Sequence, residues 1–231
     1  MKEGIIKITE LYKRFGFNPL PTYPFFSLEP HKQDLLIFAA LREFANKGYK
    51  GALVENIAKE AKVAKGSIFN YFGDKKNLFL FVFQYALQKV KDHVKLIKEK
   101  TVGLNFPERL KSIGKEGLKF TRENPEIFRL YLRLHTESEV EIASTLLKLV
   151  RTYSVRFLCD LIEEAKEAKE LRADTDTLSL AFVLDSVFER LFQSYFLGHM
   201  GEPFRIFKRR EEAELMVEKG IELIIEGIKG V

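Results

Sequence analysis

The sequence predicts an all-α protein, and three observations carry that expectation. Apolar residues recur at spacings of three and four along most of the chain, which is the period of an amphipathic helix. No stretch alternates apolar and polar residues as a half-buried strand would. Gly, Pro and Asn fall between the periodic stretches, where helices start and stop. There is no internal repeat and no low-complexity tract.

The elements follow in order. Residues 3–15 place Ile5, Ile8, Leu11, Tyr12 and Phe15 on one helical face. Residues 17–30 carry Pro19, Pro21, Pro24 and Pro30 among Phe and Tyr. Proline has no N–H to donate, so this stretch is predicted to lack a regular helix and to wrap the surface with its rings tucked in. From Gln33 the pattern turns helical, with Leu36, Ala39, Ala40 and Phe44 on one face and a stop at Lys47-Gly48. A short helix over 54–61 turns Ile57, Ala58 and Ala61 inward, and another over 65–71 is followed by a break at Gly73-Asp74. Longer helices are predicted over 76–99, 107–121, 125–135, 139–171, 177–197 and 211–229. Pro125 suits a first helical turn. Asp174 and Asp176 suit the electropositive start of the 177–197 helix.

Composition narrows the function. With 231 residues, 46% hydrophobic and 31% charged, the chain can bury a sizeable core. Its 21 Phe and absent Trp suggest a ring-filled helical interior with space for an apolar ligand. A single cysteine, Cys159, excludes an intrachain disulfide framework and favours a reducing compartment. The first ten residues lack the pattern of a signal peptide, and no apolar run approaches membrane-spanning length, so a cytoplasmic location away from membranes is expected. The four histidines, His31, His93, His135 and His199, have no metal-ligand spacing. No P-loop, dinucleotide fingerprint or nucleophile elbow occurs. Neither metal, cofactor nor catalysis is expected.

Charge is unevenly placed. Between Lys32 and Lys76 nine basic residues stand against five acidic ones, while the remainder holds 29 and 28. Most of the net +5 therefore sits in one short segment, the footprint of a phosphate-binding surface. The same segment holds two short helices joined at residues 62–64 and braced by the helix before them, the arrangement of a helix-turn-helix. An α-helix fits the DNA major groove, and the second helix presents its N-terminal residues to base edges. Ser67, Asn70 and Tyr71 lie at i, i+3 and i+4 and are predicted to share a face opposite Ile68 and Phe72. Lys65 can reach a base or phosphate, and Gly66 permits close approach of the backbone. Tyr71 and Lys75 can bond phosphates and fix the register.

This segment resembles the DNA-binding domain of the TetR family of repressors. The resemblance rests on Gly48-Tyr49, Ile57-Ala58, Lys65-Gly66, Phe69, Tyr71-Phe72, Lys75 and Leu78, and spans residues 33–79. It departs from the family pattern in three places. Ala52-Leu53 lacks the hydroxyl usual before the second helix, Lys62 stands where Gly is usual, and Ala64 replaces a capping Ser. Lys50 and Lys62 are the charged residues that can take over the lost phosphate contacts. The resemblance implies an N-terminal extension over 1–31, a helix-turn-helix domain over 32–76 and a helical ligand-binding and dimerisation domain over 77–231. It also implies a homodimer through helices 177–197 and 211–229, a near-palindromic duplex operator and a small-molecule effector. The helix over 178–196 is apolar nearly all round, which suits one face for its own domain and one for a partner. Tyr131, His135, Cys159, Asp185 and Glu189 are the candidate pocket residues. For Asp185 and Glu189, one turn apart, two readings stand: selection of a polar ligand group, or an interhelical ion pair. An architectural DNA-binding protein without a small-molecule switch is the alternative to a ligand-released repressor.

Overall fold

The computed structural model describes residues 21–137, 141–202 and 209–228, and every described element is helical. The predicted helix over 3–15 and Pro19 of the following stretch lie outside the described residues. In chain order the helices are α1 (Tyr23–Phe26), α2 (Pro30–Gly51), α3 (Val54–Glu60), α4 (Lys65–Phe72), α5 (Lys75–Lys100), α6 (Phe106–Glu123), α7 (Pro125–Thr136), α8 (Glu141–Glu167), α9 (Thr177–Phe196) and α10 (Arg210–Ile228). A single 3-10 turn, Gly198–Met200, follows α9.

The described residues form two compact units. One contains the residues up to Asp92 together with Glu126–Thr145, and the other contains His93–Pro125 and the residues from Leu146 on. In the first unit, Pro30 opens α2 at a position where no N–H is needed. Leu36, Ile37, Ala40, Leu41 and Phe44 then line its buried face. The chain leaves the helical conformation at Gly48, whose φ of 69° is open to glycine without strain. Phe44 and Phe79 meet edge to face at 4.9 Å, among the fully buried Leu36, Ile57, Ile68, Leu78 and Leu80.

The proline-rich stretch departs from expectation. Its described part holds one helical turn, α1, with Pro24 in the first turn, where its missing donor costs nothing. Among its described residues one ring is tucked in: Phe25 is buried, while Tyr23 and Phe26 stand out in solvent.

The second unit is built on α6, which packs against both α9 and α10. Its core joins Phe106, Leu110, Leu118, Leu158, Ile162, Leu184, Phe188, Val217 and Ile221. Asn105 caps α6 by accepting from the Glu108 N–H at 3.0 Å. Asp176 caps α9 through the Ser179 N–H at 2.7 Å. Asp174, also expected at that helix start, instead forms a paired contact with Arg172.

Candidate nucleic-acid interface

The helix-turn-helix is assembled in the first unit. Helix α3 begins at Leu53 without a hydroxyl cap. Its start is held from the preceding helix instead. One oxygen of the Glu43 carboxylate accepts from the Leu53 N–H and from the Asn56 side chain, both at 3.0 Å. A carboxylate at this point satisfies a free donor and meets the positive helix end. Glu43 gave no local signal in the sequence, because its partners lie ten and thirteen residues away. The turn after α3 passes through Lys62 at φ 55°, the left-handed conformation that glycine usually supplies. Ala64 opens α4 with no side-chain cap.

Helix α4 turns Ile68, Tyr71 and Phe72 into the core and leaves Lys65, Gly66, Phe69 and Asn70 exposed, with Ser67 half-buried. A Cβ added at Gly66 would meet nothing within 4 Å, so this side of the helix is open to a large partner. The Lys65 ammonium pairs with Glu55 of α3. Lys62 and Lys50 are exposed at the flanks of the two short helices. The Lys75 ammonium donates to the Lys50 carbonyl at 3.2 Å and sits 5.1 Å from the centre of the Tyr49 ring, which brings the two predicted lysines together. Tyr71 differs from expectation. It was predicted to share the outer face with Ser67 and Asn70, yet it is only 9% exposed. The reason is Phe25, whose ring packs edge-on against it at 6.1 Å and which nothing near Tyr71 in sequence announces.

The candidate pocket residues are divided between the two units. Tyr131 and His135 belong to the first unit, where their rings meet edge-on at 4.9 Å and His135 is exposed. The other three belong to the second unit. Asp185 is buried on α9, accepts from the Ser154 hydroxyl at 2.8 Å and pairs with Arg151 of α8. The same guanidinium donates to Glu189 at 2.7 Å, and Gln193 donates to the other Glu189 oxygen at 3.0 Å. The two carboxylates are thus joined to α8 as an interhelical ion pair. Cys159 is half-buried beside the core. Burial first, and the Asp160 and Glu163 charges second, push its thiol up, which keeps it protonated.

Residues 36–82 match the family described as "Bacterial regulatory proteins, tetR family". The match covers α3 and α4 whole, together with most of α2 and the start of α5. The likeness to the TetR family is carried by residues 36–82 of the 231-residue chain. Among curated TetR-like relatives, it is 41% identical over 69 residues to the uncharacterized HTH-type transcriptional regulator YuxN of Bacillus subtilis, covering 30% of this chain and 24% of that protein. It is 45% identical over 49 residues to the HTH-type transcriptional repressor AcnR of Corynebacterium glutamicum, covering 21% and 26%. The aligned stretch therefore spans about a quarter of the length of these relatives. The TetR fold extends further than the sequence likeness. A TetR-family regulator from Chloroflexus aurantiacus superposes with a TM-score of 0.70 at 23% identity, over 92% of this chain and all of that one. The regulator FadR of Bacillus subtilis, solved in complex with stearoyl-CoA, superposes with a TM-score of 0.67 at 19% identity, over 85% and 99%. Each of these proteins is described as a transcriptional regulator or repressor.

Among the described residues, no helix is long and apolar enough to cross a membrane. No group of three or more His, Cys, Asp and Glu among them is placed to hold a metal ion.

Proposed function

We propose that this chain is a transcriptional repressor that reads duplex DNA with α4 and releases it when a largely apolar ligand binds. The observation that carries this reading is the face of α4. Lys65, Gly66, Phe69 and Asn70 stand outward on a short helix whose opposite face is anchored by Ile68 and Phe72. That arrangement suits entry into a major groove, with Asn70 reading base edges and Lys75, Lys62 and Lys50 holding phosphates. Ser67 and the Tyr71 hydroxyl lie at the margin of the same face.

The second unit supports dimerisation through α9 and α10. Leu178 and Phe182 stand one turn apart on α9 and are exposed, as are Leu215 and Leu223 on α10. A second copy covering these residues would bring two α4 helices to the spacing of successive major grooves, about 34–36 Å, and so favour a near-palindromic operator. The ligand class follows the apolar interior and the acyl-CoA complex of the FadR neighbour. Tyr131, His135 and Cys159 remain the polar candidates for contacting it. The ligand must bind the DNA-free state more tightly than the DNA-bound one.

Selection from a random duplex pool, followed by titration of the selected site, tests the proposal. Asn70→Ala should change which bases are preferred. Lys75→Ala should weaken all duplexes alike and lower the slope of affinity against salt by about one. Equal behaviour of both variants and the unaltered chain on every duplex would remove α4 from the interface. Stearoyl-CoA added to the complex tests the switch. Unchanged DNA affinity at a concentration that saturates the protein would leave an architectural DNA-binding protein.

A further inference from the structure

The segment before α2 reaches the reading helix and closes its C-terminal end. Helix α4 has only eight residues, and a helix that short does not hold itself in water. Its final carbonyls have no partners within the helix. The Phe69 carbonyl accepts from the Gly73 N–H at 2.7 Å. The next two are taken by one residue far away in sequence. The Thr22 hydroxyl donates to the Asn70 carbonyl at 2.8 Å, and the Thr22 N–H donates to the Tyr71 carbonyl at 2.8 Å. Three residues on, Phe25 is 1% exposed, with its ring 5.2 Å from Phe72 and 5.4 Å from Phe81. The far end of the segment is tied to α2, where the Gln33 amide donates to the Leu28 carbonyl at 2.8 Å. The segment is therefore anchored by a buried ring, held at its base, and clasped onto the backbone of the residue proposed to read bases.

We infer that Thr22 is a positioning residue for DNA reading: its hydroxyl fixes the Asn70 peptide and so sets the angle at which the Asn70 side chain leaves α4. This rests on the proposed reading of DNA by α4 and deepens it. Bidentate recognition of a base edge by an amide tolerates little angular error. Losing the hydroxyl should therefore lower discrimination between sequences more than it lowers affinity for duplex DNA in general.

The test uses the full chain and the duplex it selects from a random pool. Thr22→Val keeps the shape and the N–H and removes only the hydroxyl donor, while Thr22→Ser keeps the donor. The reading is the ratio of affinities for the selected duplex and a scrambled duplex of equal composition, with the melting temperature measured alongside. Thr22→Val should lower that ratio about fivefold, with an unchanged salt slope and scrambled-duplex affinity. Thr22→Ser should restore it. A Thr22→Val chain with the wild-type ratio overturns the inference and leaves the DNA reading intact. So does a loss that Thr22→Ser fails to rescue, or one that tracks the melting temperature and affects both duplexes equally. If the unaltered chain selects no duplex at all, the DNA reading fails, and the role of Thr22 fails with it.

Discussion

Lys62 holds a φ of 55° in the turn between α3 and α4. A left-handed lysine costs about 1–2 kcal/mol in steric strain. Glycine would remove that strain but would lose more freedom on folding, at about 0.5–1 kcal/mol. The difference favours glycine, so Lys62→Gly should raise stability by roughly 0.5 kcal/mol, read as a higher midpoint in urea unfolding. On the proposed reading it should also weaken binding to all DNA sequences alike, since Lys62 would then be a phosphate-facing charge. A lower midpoint would mean that the Lys62 side chain contributes more than its backbone costs. This strain was legible in the sequence, because a glycine-like position in a recognised turn carried a lysine. The burial of Tyr71 was not. It depends on Phe25, 46 residues upstream, in a stretch expected to tuck its rings against the surface but with nothing to say which ring would meet which helix. The Asp185 pairing shows the same limit. Helical spacing put Asp185 and Glu189 on one face, but their common partner, Arg151, sits on another helix, and no local pattern says which cation will arrive.

At the scale of the element, the longer helices were legible by their apolar period, and several also by the residues at their ends. Asp176 caps α9 where an acidic residue was expected, and Pro125 opens α7 in its first turn. How closely two helices approach is a different matter, and α6 shows why. It carries Gly114 and Gly117 on the side that meets α9 and α10. Propensity alone would favour alanine at either site by about 1 kcal/mol. Packing reverses this at one of them. A Cβ at Gly114 would lie 2.5 Å from a methyl of Val217, a stiff and fully buried side chain, and 3.2 Å from the Phe188 ring. A Cβ at Gly117 would meet the far edge of the Phe192 ring, which is half-buried rather than enclosed and so has more room to yield than Val217. Overpacking a closed site costs about 1–3 kcal/mol. Gly114→Ala should therefore destabilise the chain by up to about 2 kcal/mol. Gly117→Ala should be near neutral. Thermal unfolding of the two variants side by side checks this, and equal losses would mean that Phe192 is as fixed as Val217.

At the scale of the whole molecule, the deciding question for the proposed function is whether two copies associate, since one α4 would read only half of a near-palindromic site. Leu178 and Phe182 project from α9 at 64% and 70% exposure, and Leu223 from α10 at 71%. Large apolar side chains this exposed and this close in sequence are what an isologous interface would cover. Burying a Phe side chain contributes about 1.5–3 kcal/mol, and two-fold symmetry counts each contact twice. A carboxylate at position 182 would lose that contribution in both copies and be left desolvated without a partner. Phe182→Glu should therefore sediment as a monomer at concentrations where the unaltered chain is a dimer, with its helical circular dichroism unchanged, because Phe182 takes no part in the buried core. On DNA the effect should depend on the site. Affinity for a full palindrome should fall by orders of magnitude, since two linked half-sites bind far more tightly than one. Affinity for an isolated half-site should stay the same. A Phe182→Glu chain that sediments as the unaltered protein does would place the interface elsewhere. One that becomes monomeric yet binds the full palindrome as before would show that pairing of α9 and α10 is not what spaces the reading helices.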